Sequence, residues 1–119
     1  MVRPYHPLRE LEGHLNRGEL DSAIALARGL AQERRRPLEL EVTLRFLPLI
    51  ATQRPDAFDT WALRWLERWC AERRGRATID DAGELAAALA EVAVDPDRAM
   101  HAIAALQERV GSSSSAPRR

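Results

Sequence analysis

Apolar residues recur with helical spacing along most of the chain. Leu8, Leu11 and Leu15 stand at i, i+3 and i+7, the repeat of one helix face. Gly18 interrupts that pattern, and Leu20, Ala23, Ile24, Ala27, Leu30 and Ala31 then line one side of a second helix. Arg34, Arg35 and Arg36 fall in its last turn, where the backbone dipole favours cations, and Pro37 is placed to open the next helix. Farther on, Asp56 is positioned to cap a long helix running to Arg74, with Gly75 to end it. Thr78 and Asp81 have the spacing of a capping box. The helix it starts runs through Ala93, apolar at Ile79, Ala82, Leu85, Ala86, Leu89 and Val92. Asp95-Pro96 reads as N-cap and first residue of a last helix through Met100, Ile103, Leu106 and Val110, closed by Gly111.

One stretch carries two periods. Leu38, Leu40, Val42, Leu44 and Phe46 alternate with polar residues as a strand would, yet Leu40, Leu44, Leu47 and Ala51 also fit a helix face. Helix is the expectation. No other segment offers a partner strand, and a lone strand leaves its backbone groups unpaired. Glu and Leu also favour helix. Pro48 removes a backbone donor and is expected to kink this helix or end its regular part.

The predicted fold is therefore all-α: about six helices in three antiparallel hairpins, 7–36, 37–75 and 78–110, forming a short α-solenoid or a compact helical bundle. Residues 1–111 make one domain, and 112–119, "SSSSAPRR" after Gly111, are expected as a disordered tail. A short echo groups the hairpins. "AQERR" at 31–35 returns as "AERR" at 71–74 and "QER" at 107–109, its glutamates 39 and 36 residues apart. Residues 8–36, with Gly18 at the turn and Ala23, Ala27 and Leu30 at packing positions, resemble a tetratricopeptide-like helical hairpin. That resemblance implies a peptide-binding helical repeat. The second and third hairpins depart from it, lacking a glycine at the turn, and no binding residue of the family carries over to a position here.

Charge refines this picture. The formal net charge is +0, so nothing draws the whole chain toward nucleic acid or an anionic membrane. Residues 1–78 hold 14 arginines against 11 acids, and residues 79–111 hold 2 against 7. The acidic third is expected as a solvated face, or as the complement of the basic part across a packing or dimer contact. All 18 basic residues are arginine and alanine is abundant, the signature of a GC-rich bacterial genome. No apolar run spans a membrane and no secretory h-region opens the chain, so a cytoplasmic protein with no membrane partner is expected. Cys70 is the only cysteine, which leaves no intramolecular disulfide.

Catalysis finds no anchor. His6, His14 and His101 are far apart and form no ligand pattern. Asp80-Asp81 reads as a helix N-terminus that welcomes negative charge, and Cys70 lies on an apolar helix side. No phosphate loop or nucleophile elbow is present. The expectation is no enzyme, no metal and no cofactor.

Two features point to binding. Trp61, Trp65 and Trp69 advance only about 40° per step around a helix and form one stripe. Phe58, Ala62, Leu63, Leu66 and Cys70 widen that apolar face. Trp65 and Trp69 are expected in the core. Trp61, nearest the charged side, is expected to be the most exposed and, with Arg64 and Arg68, a candidate partner contact with Arg stacked over its indole. Arg34, Arg35, Arg36, Arg73, Arg74 and Arg76 end successive second helices and make a candidate basic edge, with Glu39, Glu41, Asp80 and Asp81 beside it. The expected function is a non-enzymatic protein–protein interaction module, a scaffold or adaptor for an unidentified partner protein or for a second copy of itself. The alternative is a small nucleic-acid-associated regulator that uses the arginine edge.

Overall fold

The computed structural model describes residues 7–114. Among them every regular element is an α-helix: α1 (Pro7–Asn16), α2 (Leu20–Arg34), α3 (Leu40–Leu44), α4 (Phe46–Gln53), α5 (Pro55–Glu72), α6 (Ile79–Glu91) and α7 (Pro96–Ser114). The fold is all-α, six helical rods with the third divided into α3 and α4. None of these helices is long and apolar enough to cross a membrane.

The division at Arg45 has its cause in Pro48. A continuous helix would set the Pro48 ring against the carbonyl of Leu44 and leave that carbonyl without a donor. Restarting at Phe46 places Pro48 in the first turn of α4, where an N–H has no intrahelical acceptor anyway. The restart also explains the alternation. Leu38 lies in the connector, Leu40 and Leu44 in α3 and Phe46 in α4, and all four are buried. The four fall in three separate segments rather than along one helix, so a period of two arises without a strand.

Several boundaries differ from expectation. α2 stops at Arg34, and Arg35 takes the left-handed conformation at φ 58°. The N–H of Arg35 then reaches the Gln32 carbonyl (3.2 Å) and that of Arg36 the Ala31 carbonyl (3.1 Å). Arg35 and Arg36 thus leave the helix. Pro37 does not open the next helix either: it biases Arg36 toward extended backbone, and α3 begins only at Leu40. In α5, Arg54 is the N-cap and Pro55 the first helical residue, so Asp56 lies in the first turn rather than capping it. That helix closes at Glu72 rather than Arg74, with Gly75 at φ +84° in the following turn. α7 passes Gly111 and runs to Ser114; residues 115–119 of the expected tail, like His6, lie outside the described residues.

The predicted capping box is present. Thr78 Oγ1 accepts from the Asp81 N–H (3.0 Å), and the Asp81 carboxylate accepts from the Thr78 N–H (2.9 Å). Thr78→Ala leaves a helix-end donor without that acceptor and is expected to cost about 1 kcal/mol. Thermal unfolding followed by circular dichroism checks it: the expected result is a Tm lower by a few degrees, and an unchanged Tm refutes it.

Packing follows chain order. α1 lies against α2, α2 against α4, α4 against α5, α5 against α6 and α6 against α7, while α3 bridges α4 and α5. The core runs through the whole stack, from Leu11 and Leu20 through Leu47, Ile50 and Trp69 to Leu85, Ile103 and Leu106. Asp95 caps α7 as expected, its carboxylate accepting from the Arg98 N–H (3.3 Å). On α6 the apolar face is narrower than predicted. Leu85, Leu89 and Val92 are buried, but Ala86 is exposed and Ile79, at the helix entrance, is 90 % exposed.

Candidate functional site

The tryptophan stripe divides as its angles predict. Trp65 and Trp69 are buried, and Trp61 is half-buried against the core. Trp65 Nε1 donates to the Leu40 carbonyl at 3.0 Å, tying α5 to α3. Trp69 has no exposed surface, and its Nε1 finds no acceptor among the described residues. Phe58 and Ala62 are buried beside them, whereas Leu63 is 55 % exposed, because the apolar arc of α5 meets neighbours on only part of its width.

Trp61 closes an open groove of about 200 Å³. One wall comes from α2 with Ile24, Ala27, Arg28 and Ala31. Pro37, Leu38, Thr43 and Phe46 complete the lining. Small side chains leave room for the groove: Ala27 and Ala31, one helical turn apart, line it together with the Trp61 indole. The Thr43 hydroxyl is committed to the Leu40 (3.1 Å) and Glu39 (3.3 Å) carbonyls. Arg28 is exposed at the rim and forms no ion pair with a described residue.

Sequence reasoning placed Arg64 and Arg68 beside Trp61. Arg64 is exposed on the same helix, one turn on. Arg68 instead pairs with Glu72 at 2.6 Å, four residues along α5. The expected arginine over Trp61 is not formed; the cation–aromatic contact among the described residues is Arg73 over the Trp69 ring, 6.0 Å from its centroid. The groove residue that sequence reasoning missed is Arg28. Its signal was there, seven residues before Arg35 on the helix that carries Ala27 and Ala31, but nothing local said which helix would share a groove with Trp61.

The arginine edge is brought together in part. Arg36, Arg68 and Arg73 line one cleft with Pro37, Glu39, Leu40, Glu41 and Glu72. Half of the edge's six arginines are engaged. Arg34 lies 3.7 Å from Glu39, Arg73 lies 3.9 Å from Glu72, and Arg76 donates to the Glu72 carbonyl at 2.8 Å. Arg35 and Arg74 are exposed outside that cleft. Asp81 is drawn away to its capping box and to Arg109, 3.8 Å distant.

The remaining candidates serve the turns. His14 Nδ1 donates to Glu19 Oε1 at 2.7 Å, and Arg17 Nε lies 3.2 Å from the same oxygen, which locks the α1–α2 turn. The hydrogen bond from His14, then that from Arg17, holds the Glu19 carboxyl below its ordinary range. A lowered folded value means stability present above the ordinary carboxylate pKa and lost as pH falls through the folded one. Glu19→Gln is therefore expected to lower Tm at neutral and alkaline pH, where the ionised carboxylate contributes, and to converge with the unaltered protein as pH falls through the acid range. Melting curves across an acid series check this, and parallel acid limbs for the two proteins refute it. His101 Nδ1 donates to the Asp97 carbonyl at 2.8 Å, and Cys70 is half-buried against the core. Among the described residues no three His, Cys, Asp or Glu side chains gather as a metal site.

The groove and the arginine cleft both draw on the connector at Pro37, on α3 and on α5, and α2 lines only the groove. Comparison of the chain with protein-family models, with curated proteins and with solved structures finds no match.

Proposed function

We propose that the chain is a non-enzymatic protein-interaction module, a helical scaffold or adaptor whose contact surface is the groove that Trp61 closes. The observation that carries this reading is the groove's composition: an apolar trough with a half-buried indole on one wall and an unpaired guanidinium on the rim. An indole and an arginine at the edge of an apolar pocket are the residue types that dominate binding energy at protein interfaces. The walls present no nucleophile and no titratable pair, and the one hydroxyl is already bonded, which favours binding over catalysis. Packing in chain order and the tetratricopeptide-like first hairpin support a short helical-repeat array as its architecture.

A displayed random-peptide library tests the reading. Enrichment of peptides with a bulky apolar anchor is expected, with binding lost when Ala27→Arg fills the groove. Recovery of no groove-dependent peptide overturns it. The second reading, a nucleic-acid-associated regulator, is favoured by the convergence of Arg36, Arg68 and Arg73 on one cleft. Three glutamates share that cleft and weigh against it. Titration with duplex and single-stranded DNA at rising salt separates the two: a steep salt dependence that Arg36→Gln reduces supports the regulator.

A further inference from the structure

The groove's vacant partner chemistry has a match in the same chain. Arg28 offers an unpaired positive charge beside an apolar trough. The turn between α6 and α7, "EVAVDPD" at 91–97, offers the reverse: an apolar knob set among acids. Val94 is 77 % exposed at its tip. Glu91, Asp95 and Asp97 lie within three residues of it in the chain, with Arg98 next; all three acids are exposed and none is in an ion pair with a described residue, although Asp95 also caps α7. The turn is fixed rather than loose. The Val94 and Asp95 N–H groups both bond the Glu91 carbonyl (2.9 and 2.7 Å), and Pro96 restrains the backbone that follows. A preformed knob loses little freedom on docking.

Charge on the larger scale runs the same way. Residues 1–78 carry an excess of three arginines and residues 79–111 an excess of five acids. The chain as a whole is neutral, so two copies approach without net repulsion and are steered basic end to acidic end. Within one copy the groove is built wholly from residues 24–61, while the turn belongs to the hairpin at the other end of the stack.

We propose that the Trp61 groove receives the Val94 turn of a second copy of this chain. Val94 enters the apolar trough and the acids of the turn pair with Arg28. This inference rests on the reading of the groove as an interaction surface and names its occupant. The contact joins two different surfaces, so it propagates head to tail, or closes as a pair if each copy's turn reaches the other's groove. A single turn in a single groove makes a small interface, and the association is weak and salt-sensitive.

Sedimentation velocity over a concentration series, at low and high salt, tests it. The wild-type weight-average sedimentation coefficient is expected to rise with concentration and to fall back with salt. Arg28→Glu and Val94→Arg change exposed side chains, and each is expected to weaken self-association about tenfold or more at an unchanged Tm. Mixing the two variants is the decisive arm. The mixture keeps one intact groove, on the Val94→Arg copy, and one intact turn, on the Arg28→Glu copy, so it is expected to form dimers that neither variant forms alone. A wild-type chain that stays monomeric throughout, single variants that associate like wild type, or a mixture that stays monomeric overturns the proposal. A monomeric protein that still selects groove-dependent peptides overturns this occupant alone. Self-association that both variants abolish, with no peptide selected, retains the groove as a contact for its own copies only and overturns the adaptor reading.

Discussion

Trp65→Ala is expected to cost about 3–5 kcal/mol, a large part of the stability of a domain this size. The indole is buried between α5 and the α3–α4 rods, and its removal leaves a cavity that neighbouring helices fill only in part. It also takes away the one donor by which α5 holds the Leu40 carbonyl, at 3.0 Å. Trp65→Phe separates the two effects, keeping most of the packing and losing that hydrogen bond, worth about 1 kcal/mol. Trp69→Phe is the matched control. The Trp69 N–H has no acceptor among the described residues, so its loss forfeits no bond and is expected to cost less than Trp65→Phe. Trp61→Ala, at a half-buried position on a groove wall, is expected to cost clearly less than Trp65→Ala. Urea titrations of the four variants, read as midpoints at constant slope, give the order. A Trp65→Ala protein with a wild-type midpoint, or a Trp61→Ala protein that is the less stable of the two, overturns it.

The stripe was legible because it depends only on helix angle. Trp61, Trp65 and Trp69 share one helix, so their order of exposure follows from where the charged residues sit on that same wheel. The capping box at Thr78 was legible for a similar reason: both partners lie within four residues. Partners from other helices were not legible. The sequence placed Arg64 and Arg68 beside Trp61, yet the helix that shares the groove with the indole is α2, and the guanidinium on its rim is Arg28. The Arg45 break was only half visible. Pro48 announced a disturbance, but its position follows from the clash one turn upstream, at Leu44, and from the four buried residues that the restart turns inward. Ile79 failed differently. Its wheel position is apolar, but α6 packs mainly against α5 and α7, and Ile79 at the helix entrance stays 90 % exposed. The arginine edge was read as successive helix ends lining up. That brought Arg36 and Arg73 into one cleft, while the left-handed Arg35 carried that residue out of the row.

Chain-order packing makes the third hairpin the part of the fold most open to separate failure. α7 leans on α6, and α6 in turn on α5, so α7 is held to the first five helices mainly through a neighbour. Ile103 is fully buried at the middle of the α6–α7 seam, among Leu85, Leu89, Ala99 and Leu106. Ile103→Ala is expected to cost about 2–5 kcal/mol, but the loss falls unevenly. Amide hydrogen exchange is the measurement that sees this, because it reports opening helix by helix. Amides of α6 and α7 are expected to exchange faster by the factor that the stability loss implies, about tenfold for each 1.4 kcal/mol. Those of α2, α4 and α5 keep most of their protection, since Leu20, Leu47, Ile50 and Trp69 retain their own contacts. Trp65→Ala should do the opposite and lower protection everywhere, because α5 touches α3, α4 and α6 at once. If Ile103→Ala accelerates exchange equally in all helices, the chain unfolds as one cooperative unit, and the third hairpin has no independence for a docking turn to exploit.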